Sequence, residues 1–190
     1  MLSFRHVPSA ITHAVAAAAI GSVMVPGRRG LIALGAICSA APDADVLGFR
    51  LGISYGDLLG HRGLTHSIAF AALLAAAVTW VAVSRRVQPV ATSRLYFFLL
   101  LATVSHGLLD ALTNGGLGVA FLAPFSAERF FFPWRPIVVS PISIRRFFTG
   151  GGLAVIASEL LVVWIPATAI WVAGTAVRRH RGQAPTGTLR

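Results

Sequence analysis

Pro42-Asp43-Ala44-Asp45 and His61-Arg62-Gly63-Leu64-Thr65-His66-Ser67 concentrate metal-binding side chains in a sequence that is otherwise strongly apolar. Two carboxylates at i and i+2 just past a helix end can turn to one ion, although Pro and Asp also favour a plain helix stop and Asx-type turn. In the second motif two imidazoles flank a glycine at which the backbone can bend, and Thr65 is placed to cap the helix that follows. His106 and Asp110 stand at i and i+4, on one face of a helix. That spacing lets one helix supply two ligands, or a ligand and the group that orients it. A simple His–Asp hydrogen bond within a bundle is the blander alternative. His13 lies in the first apolar segment, and ionisable side chains inside membrane segments are costly enough to mark functional sites by default.

Histidine and carboxylate without thiolate suit zinc first, with manganese or iron as alternatives. The single cysteine, Cys38, sits in an apolar stretch and reads as a small core residue. His13, Asp43, Asp45, His61, His66, His106 and Asp110 are more ligands than one tetrahedral ion needs. Two ions bridged by a carboxylate would use them and would activate a water for phosphoester displacement. A single zinc with the remaining side chains around it is the other arrangement. Asp45, His66 and Asp110 are the candidates for catalytic work within this set. Arg62, Asn114 and Arg135 are the candidates for holding substrate, with Arg129, Arg145 and Arg146 behind them. Arg135 lies beside Trp134 in an aromatic, Pro-stiffened stretch that suits a phosphate or lipid headgroup and equally suits the interfacial belt of a membrane protein.

These residues need a scaffold, and composition says which kind. Hydrophobic residues make up 56% of the chain and charged ones 12%, with a mean hydropathy of +0.77. A soluble domain carries about 25% charged residues. Five apolar segments follow: about 11–25, 31–41 (stopping at Pro42), 67–83, 95–112 and 153–177, the last carrying Glu159 and Pro166. The first two are short against the roughly 20 residues that a span requires. The expected fold is therefore all-α, a polytopic membrane bundle of four to five apolar helices with a polar His/Asp site at one face. Residues 1–181 form one membrane-embedded domain, and 182–190 are a polar tail of disordered composition.

The net charge of +10 comes entirely from arginine, which sits in short breaks between apolar runs. That is a topological signature rather than a nucleic-acid surface. With Arg28-Arg29, Arg85-Arg86-Arg94 and Arg178-Arg179-Arg181 in the cytoplasm, five alternating spans bring every His/Asp motif to the outer, periplasmic face. The partners expected are membrane lipid and a lipid or envelope-derived substrate, with no nucleic acid.

The series His13, Pro42-Asp43-x-Asp45, His61-Arg62-Gly63-x-Thr65-His66-Ser67, His106-x-x-x-Asp110 and Thr113-Asn114-x-Gly116, followed by Phe-x-Pro-Phe and Pro-Trp-x-Pro-Ile, resembles the YdjM-like family over roughly residues 6–145. The resemblance implies a bacterial inner-membrane protein and a metal-dependent hydrolase. The His-x-x-x-Asp pair is also similar, more remotely, to zinc-dependent phospholipase C and related nucleases. The expected activity is hydrolysis of a phosphoester or other ester of a lipid or envelope molecule through a metal-activated water. The alternative is a transporter or metal-handling protein that uses the same cluster as a binding station. A non-catalytic envelope module with a structural His/Asp set is the third reading.

Overall fold

A computed structural model describes residues 6–7, 10–87, 90–141 and 151–182. Arg145, Arg146 and the tail beyond Gly182 lie outside the described residues. The fold is helical, apart from one antiparallel pairing of two-residue strands, β1 (His6–Val7) with β2 (Ser140–Pro141). Helices α1 (Ala10–Met24), α2 (Arg29–Ala40), α3 (Ile68–Ser84) and α4 (Thr92–Ala111) are followed by a composite rod. That rod comprises α5 (Gly152–Glu159), a π-helical turn (Leu160–Trp164) and α6 (Ile165–Gly182).

Helix α4 organises the bundle. Its buried residues Leu95, Phe98, Leu99, Ala102, Thr103, His106, Gly107 and Asp110 recur at i, i+3 and i+4, so they form one stripe. α1, α2 and α3 pack around it. The stripe is apolar through Ala102 and turns polar at His106 and Asp110, so the helix that carries the core also carries the site. α3 meets α4 along Ala71, Ala75, Thr79 and Ala82, a seam of small side chains that permits close approach. The outward faces carry large apolar groups such as Ile37, Leu73, Trp80 and Leu161, as lipid requires.

Phe98 fills the junction of α1, α2 and α4. A Cβ on Gly35 would collide with its ring, and one on Gly21 would lie 3.1 Å from it. Gly35→Val should therefore overpack the junction, at a cost of about 1–3 kcal/mol. The expected result is a lowered melting temperature in detergent, partly recovered by adding Phe98→Leu to make room. A double variant no more stable than the single one would show that Phe98 is not the obstacle.

Three stretches are long and apolar enough to cross a membrane: Arg29–Leu51, Thr92–Ala111 and Gly152–Arg179. Ile11–Met24 and Ile68–Ser84 are shorter apolar helices. The second segment corrects the sequence reading. Pro42 does not stop the chain, which tightens into a 3₁₀ helix over Ala41–Leu51. Proline is tolerated there because it occupies the first turn, where its missing N–H leaves no bond unmade. The last rod accommodates Pro166 differently. Ile165 N–H bonds to Leu160 O, an i→i−5 contact, and this widened turn falls where a proline ring would press on the preceding turn of a regular α-helix.

α1 and α2 join at Gly27-Arg28, and α3 and α4 join across residues 85–91. Arg178 Nη1 donates to Ser22 O at 2.9 Å, tying the end of α6 to the end of α1. The three arginine clusters thus gather at one end of the bundle. The His/Asp motifs gather at the other.

Candidate metal centre

Four elements deliver the cluster: His13 from the first turn of α1, Asp43 and Asp45 from the 3₁₀ helix, His61 and His66 from the turn before α3, and His106 and Asp110 from the last turns of α4. His13, His61, His106 and Asp110 are wholly buried, and His66 nearly so. Asp43, with a fifth of its side chain exposed, is the most open member of the group.

The turn that carries His61 and His66 is wound tightly. Leu64 N–H donates to Leu58 O and Gly63 N–H to Gly60 O. A Cβ on Gly60 or Gly63 would strike the carbonyls of Ser54 or Leu58. Arg62 takes a left-handed φ of 63° between them. Ser67, not Thr65, caps α3, accepting from Phe70 N–H at 3.0 Å. Thr65 instead donates to Asp45 Oδ2 at 2.7 Å. The sequence reading of Thr65 as the cap is corrected accordingly, because Ser67 is the residue immediately before the first helical turn.

The hydrogen-bond partners fix the tautomers. His106 Nδ1 lies 2.7 Å from Ser39 O, an acceptor only, so Nδ1 carries the proton. His61 Nδ1 likewise donates to Asp45 Oδ1 at 2.7 Å. His66 Nδ1 faces Asp45 Oδ2 at 3.2 Å and Thr65 Oγ1 at 3.0 Å; since the Thr65 proton is already given to Asp45, Nδ1 is again the donor. The Nε2 atoms are then turned to the centre. His66 Nε2 and His106 Nε2 stand 3.0 Å apart. His66 Nε2 is 3.3 Å from Asp110 Oδ2 and 3.7 Å from Asp43 Oδ1, and His106 Nε2 is 3.7 Å and 3.3 Å from the same two atoms. His13 stacks on His106 with ring centroids 3.7 Å apart and brings its Nε2 to 3.8 Å from Asp110 Oδ1.

Lone pairs and carboxylate oxygens facing one another out of water repel unless something positive lies between them. Burial disfavours a charge on His66, yet the facing carboxylates of Asp110, Asp43 and Asp45 outweigh it and hold its pKa well above the usual histidine value. The centre therefore calls for a cation, whether a proton or a metal. His13 Nε2, Asp43 Oδ1, His61 Nε2 and both Asp110 oxygens have no hydrogen-bond partner among the described residues. Two groups have ligand atoms close enough to hold an ion, His13–His106–Asp110 and Asp43–His61–His66. The donor set fits a divalent metal.

Residues 1–181 match the family described as YdjM inner membrane protein. The chain belongs to that family. It is also 44% identical to the inner membrane protein YbcI of Escherichia coli (strain K12) over 163 residues, covering 84% of this chain and 92% of the relative. No solved structure matches. This YdjM-family chain is thus an inner membrane protein with a buried His/Asp cluster that could hold metal.

The residues read as substrate contacts fall in three places. Arg62 is wholly buried, with Nε 3.1 Å from Asp110 Oδ2, Nη1 donating to Gly115 O at 2.9 Å and Nη2 to Thr113 Oγ1 at 3.0 Å. Asn114 is spent on the loop, its Oδ1 accepting from Val139 N–H at 3.1 Å. Arg135 is exposed and lies over the Phe131 ring, 4.8 Å from its centroid. Arg129 reaches closer to the cluster, donating to His61 O at 3.0 Å. The loop over 113–139 is clamped to the site: Ala120 N–H donates to Arg62 O, and Ile68 N–H to Phe121 O. Its inner residues Val119, Ala120, Ala123 and Ile137 are buried, while Phe125 and Trp134 project outward. Ser39 carries no motif, and only its tertiary contact with His106 gives it a role; Thr113 belongs to the Thr113-Asn114-x-Gly116 motif, and the structure adds that it holds Arg62.

Glu159 and Thr12 lie one layer below. Thr12 Oγ1 donates to Glu159 Oε2 at 2.7 Å, and Trp164 Nε1 donates to Thr12 Oγ1 at 2.8 Å. Glu159, a carboxylate within the last apolar segment, thus has a hydrogen-bond partner next to the π-helical turn.

Proposed function

We propose that this protein is a membrane-embedded metal-dependent hydrolase whose site faces the periplasm. The observation that carries the reading is the pair of Nε2 atoms of His66 and His106, 3.0 Å apart and turned on Asp43 and Asp110 in a buried setting. His13, His66, His106, Asp43 and Asp110 would hold one or two divalent ions, zinc first, with His61 Nε2 as a further donor. Such an ion, when bound, supplies Lewis acidity and acidifies a water.

The chain's own residues do the rest. Asp45 divides its two oxygens among His61, His66 and Thr65, so its role is to orient both imidazoles and raise their basicity. Arg62 fixes Asp110 from behind. Asp43, at the open edge, is where a substrate approaches. The exposed Phe125 and Trp134 seat that edge in the headgroup region, which supports a phosphoester or other ester of a lipid or envelope molecule as substrate, with Arg129 and Arg135 near its phosphate. The placement of all three arginine clusters at the opposite end supports the periplasmic orientation.

The test is elemental analysis of purified protein together with assays on phospholipid and soluble phosphodiester substrates. Retained zinc, manganese or iron and turnover lost in His66→Ala are expected. Protein with no metal, indifferent to His66→Ala, would end this reading. A finer prediction concerns Thr65: Thr65→Val should weaken metal affinity about 10-fold by freeing Asp45, whereas Thr65→Ser keeps the hydroxyl and the affinity. Competition with a chromogenic chelator measures both.

One observation favours a second reading, a transport station: Glu159 accepts a hydrogen bond from Thr12, the residue beside His13. Metal uptake into proteoliposomes, abolished by Glu159→Gln and accompanied by no turnover of any ester, would decide for it.

A further inference from the structure

A groove of about 240 Å³ runs between α1, the start of α2 and α6, from Val15 toward the arginine-rich end of the bundle at Ser22. Val15, Ala18, Ala19, Ile32, Ala167 and Trp171 line it with mostly apolar side chains, and Ser22 and Thr168 add two hydroxyls. The Ser22 hydroxyl is already engaged, its Oγ donating to Ala19 O. The trough thus offers dispersion contacts along its length and little to a polar ligand.

Its Ser22 end is the opposite in character. Arg178 Nη1 donates to the carbonyl of Ser22, a lining residue, and so holds a guanidinium beside the groove. Ile32 N–H bonds to Arg28 O, which places Arg28 and Arg29 one helical turn from the groove lining. Both are exposed, as is Arg179. Trp171, half exposed, stands on the wall as an amphipathic ring suited to the membrane boundary. No acidic residue lies in residues 11–40 or 160–190, so no carboxylate of these segments neutralises the arginines.

An apolar trough that opens beneath uncompensated guanidinium groups matches an amphiphile with one anionic head and a long apolar tail. Basic pockets between membrane helices bind anionic headgroups in this way. We infer that this groove is a binding site for an anionic phospholipid of the surrounding bilayer, one acyl chain lying along α1 and α6 and the phosphate held by Arg178, Arg28 and Arg29. The site shares no residue with the metal centre, and its charged end, at Ser22 and Arg178, lies toward the opposite end of the bundle. Its effect would be to bridge α1 and α6.

The full chain, delipidated in detergent, is titrated with dioleoyl phosphatidylglycerol and separately with dioleoyl phosphatidylcholine, and bound lipid is counted by native mass spectrometry. One phosphatidylglycerol per chain is expected, retained about 10-fold better than phosphatidylcholine. Arg28→Gln with Arg29→Gln and Arg178→Gln should erase that preference while leaving weak binding of both lipids. Ala18→Leu, which fills the groove, should lower retention of both. Equal retention of the two lipids by the unaltered protein overturns the inference, and so does a preference that survives in the arginine variants. Because Arg28 and Arg29 are exposed, their substitutions keep the test decisive even where Ala18→Leu fails to fold.

Discussion

Replacement of His106 by alanine is expected to strip the protein of tightly held divalent metal and, with it, of stability that a chelator can remove. Of the candidate ligands, His106 has the least freedom. Its Nδ1–H is held by Ser39 O at 2.7 Å, its ring is stacked on His13, and its Nε2 faces Asp43 Oδ1 at 3.3 Å and Asp110 Oδ2 at 3.7 Å. Alanine removes one donor and also the ring that keeps His13 in place. Loss of an orienting partner alone costs roughly 10–100-fold in metal affinity, so loss of a ligand should reach at least the upper end of that range. A metal present at about 100 times its dissociation constant stabilises the folded state by about 2.7 kcal/mol. Chelation should therefore lower the melting temperature of the unaltered protein in detergent and leave that of His106→Ala where it is. Asp57→Ala is the control. Asp57 Oδ2 accepts from Ser54 N–H at 2.8 Å in an exposed turn and belongs to no ligand group, so this variant should keep both metal and chelator sensitivity. A His106→Ala protein with normal metal content and an undiminished response to chelator would remove His106 from the site.

The parts of this site that were legible in the sequence are those that a chain poor in charge must justify locally. His106 and Asp110 share a helical face by spacing alone, and α4 carries them at the end of its buried stripe. Asp43, Asp45, His61 and His66 stand next to element ends, and alternation of the apolar segments sends all of those ends to one side of the bundle. What could not be read is whatever depends on a backbone meeting a distant backbone. Ser39 matters through its carbonyl, which any residue possesses. Thr65 sits where a helix cap is expected, and only the approach of Asp45 shows that its hydroxyl serves the cluster instead. The 3₁₀ course of Ala41–Leu51 was hidden because Pro42 signals a stop from sequence, yet it is equally at home in the first turn of a new helix. Gly60, Gly63 and Gly116 look alike in the sequence. Their difference lies in what a Cβ would strike: a carbonyl at Gly60 and Gly63, and the Arg62 guanidinium and Tyr55 hydroxyl at Gly116.

Arg62 separates the stability of the fold from the chemistry of the site, and its substitution is expected to have the larger effect on folding. It is the largest fully buried side chain among the described residues. Its guanidinium spans three segments, meeting Asp110 at the end of α4 and the Thr113 hydroxyl and Gly115 carbonyl in the loop beyond, while its own carbonyl accepts from Ala120 N–H at 3.0 Å. Arg62→Met keeps the length of the side chain and leaves Asp110 a buried charge without its fixed cation. Breaking a buried pair from one side costs about 3–5 kcal/mol, a large part of the roughly 5–15 kcal/mol that separates a folded domain from its unfolded chain. The expected result is a steep fall in monodisperse protein on size exclusion in detergent and a lowered melting temperature. Arg62→Lys should recover only part of this, since an ammonium cannot meet Asp110, Thr113 and Gly115 in one plane. Every one of these variants has the same non-glycine backbone at φ 63°, so backbone strain cancels between them. The double variant Arg62→Met with Asp110→Leu removes both charges together, and replacing both partners of a buried pair by apolar groups is often neutral. It should therefore fold better than Arg62→Met alone and still fail to retain metal, because Asp110 is gone. If the double variant is no more stable than Arg62→Met, the arginine acts through packing of the loop rather than through its charge on Asp110. If it folds and holds metal normally, Asp110 is not a ligand, and the centre would have to be built from His13, Asp43, His61, His66 and His106.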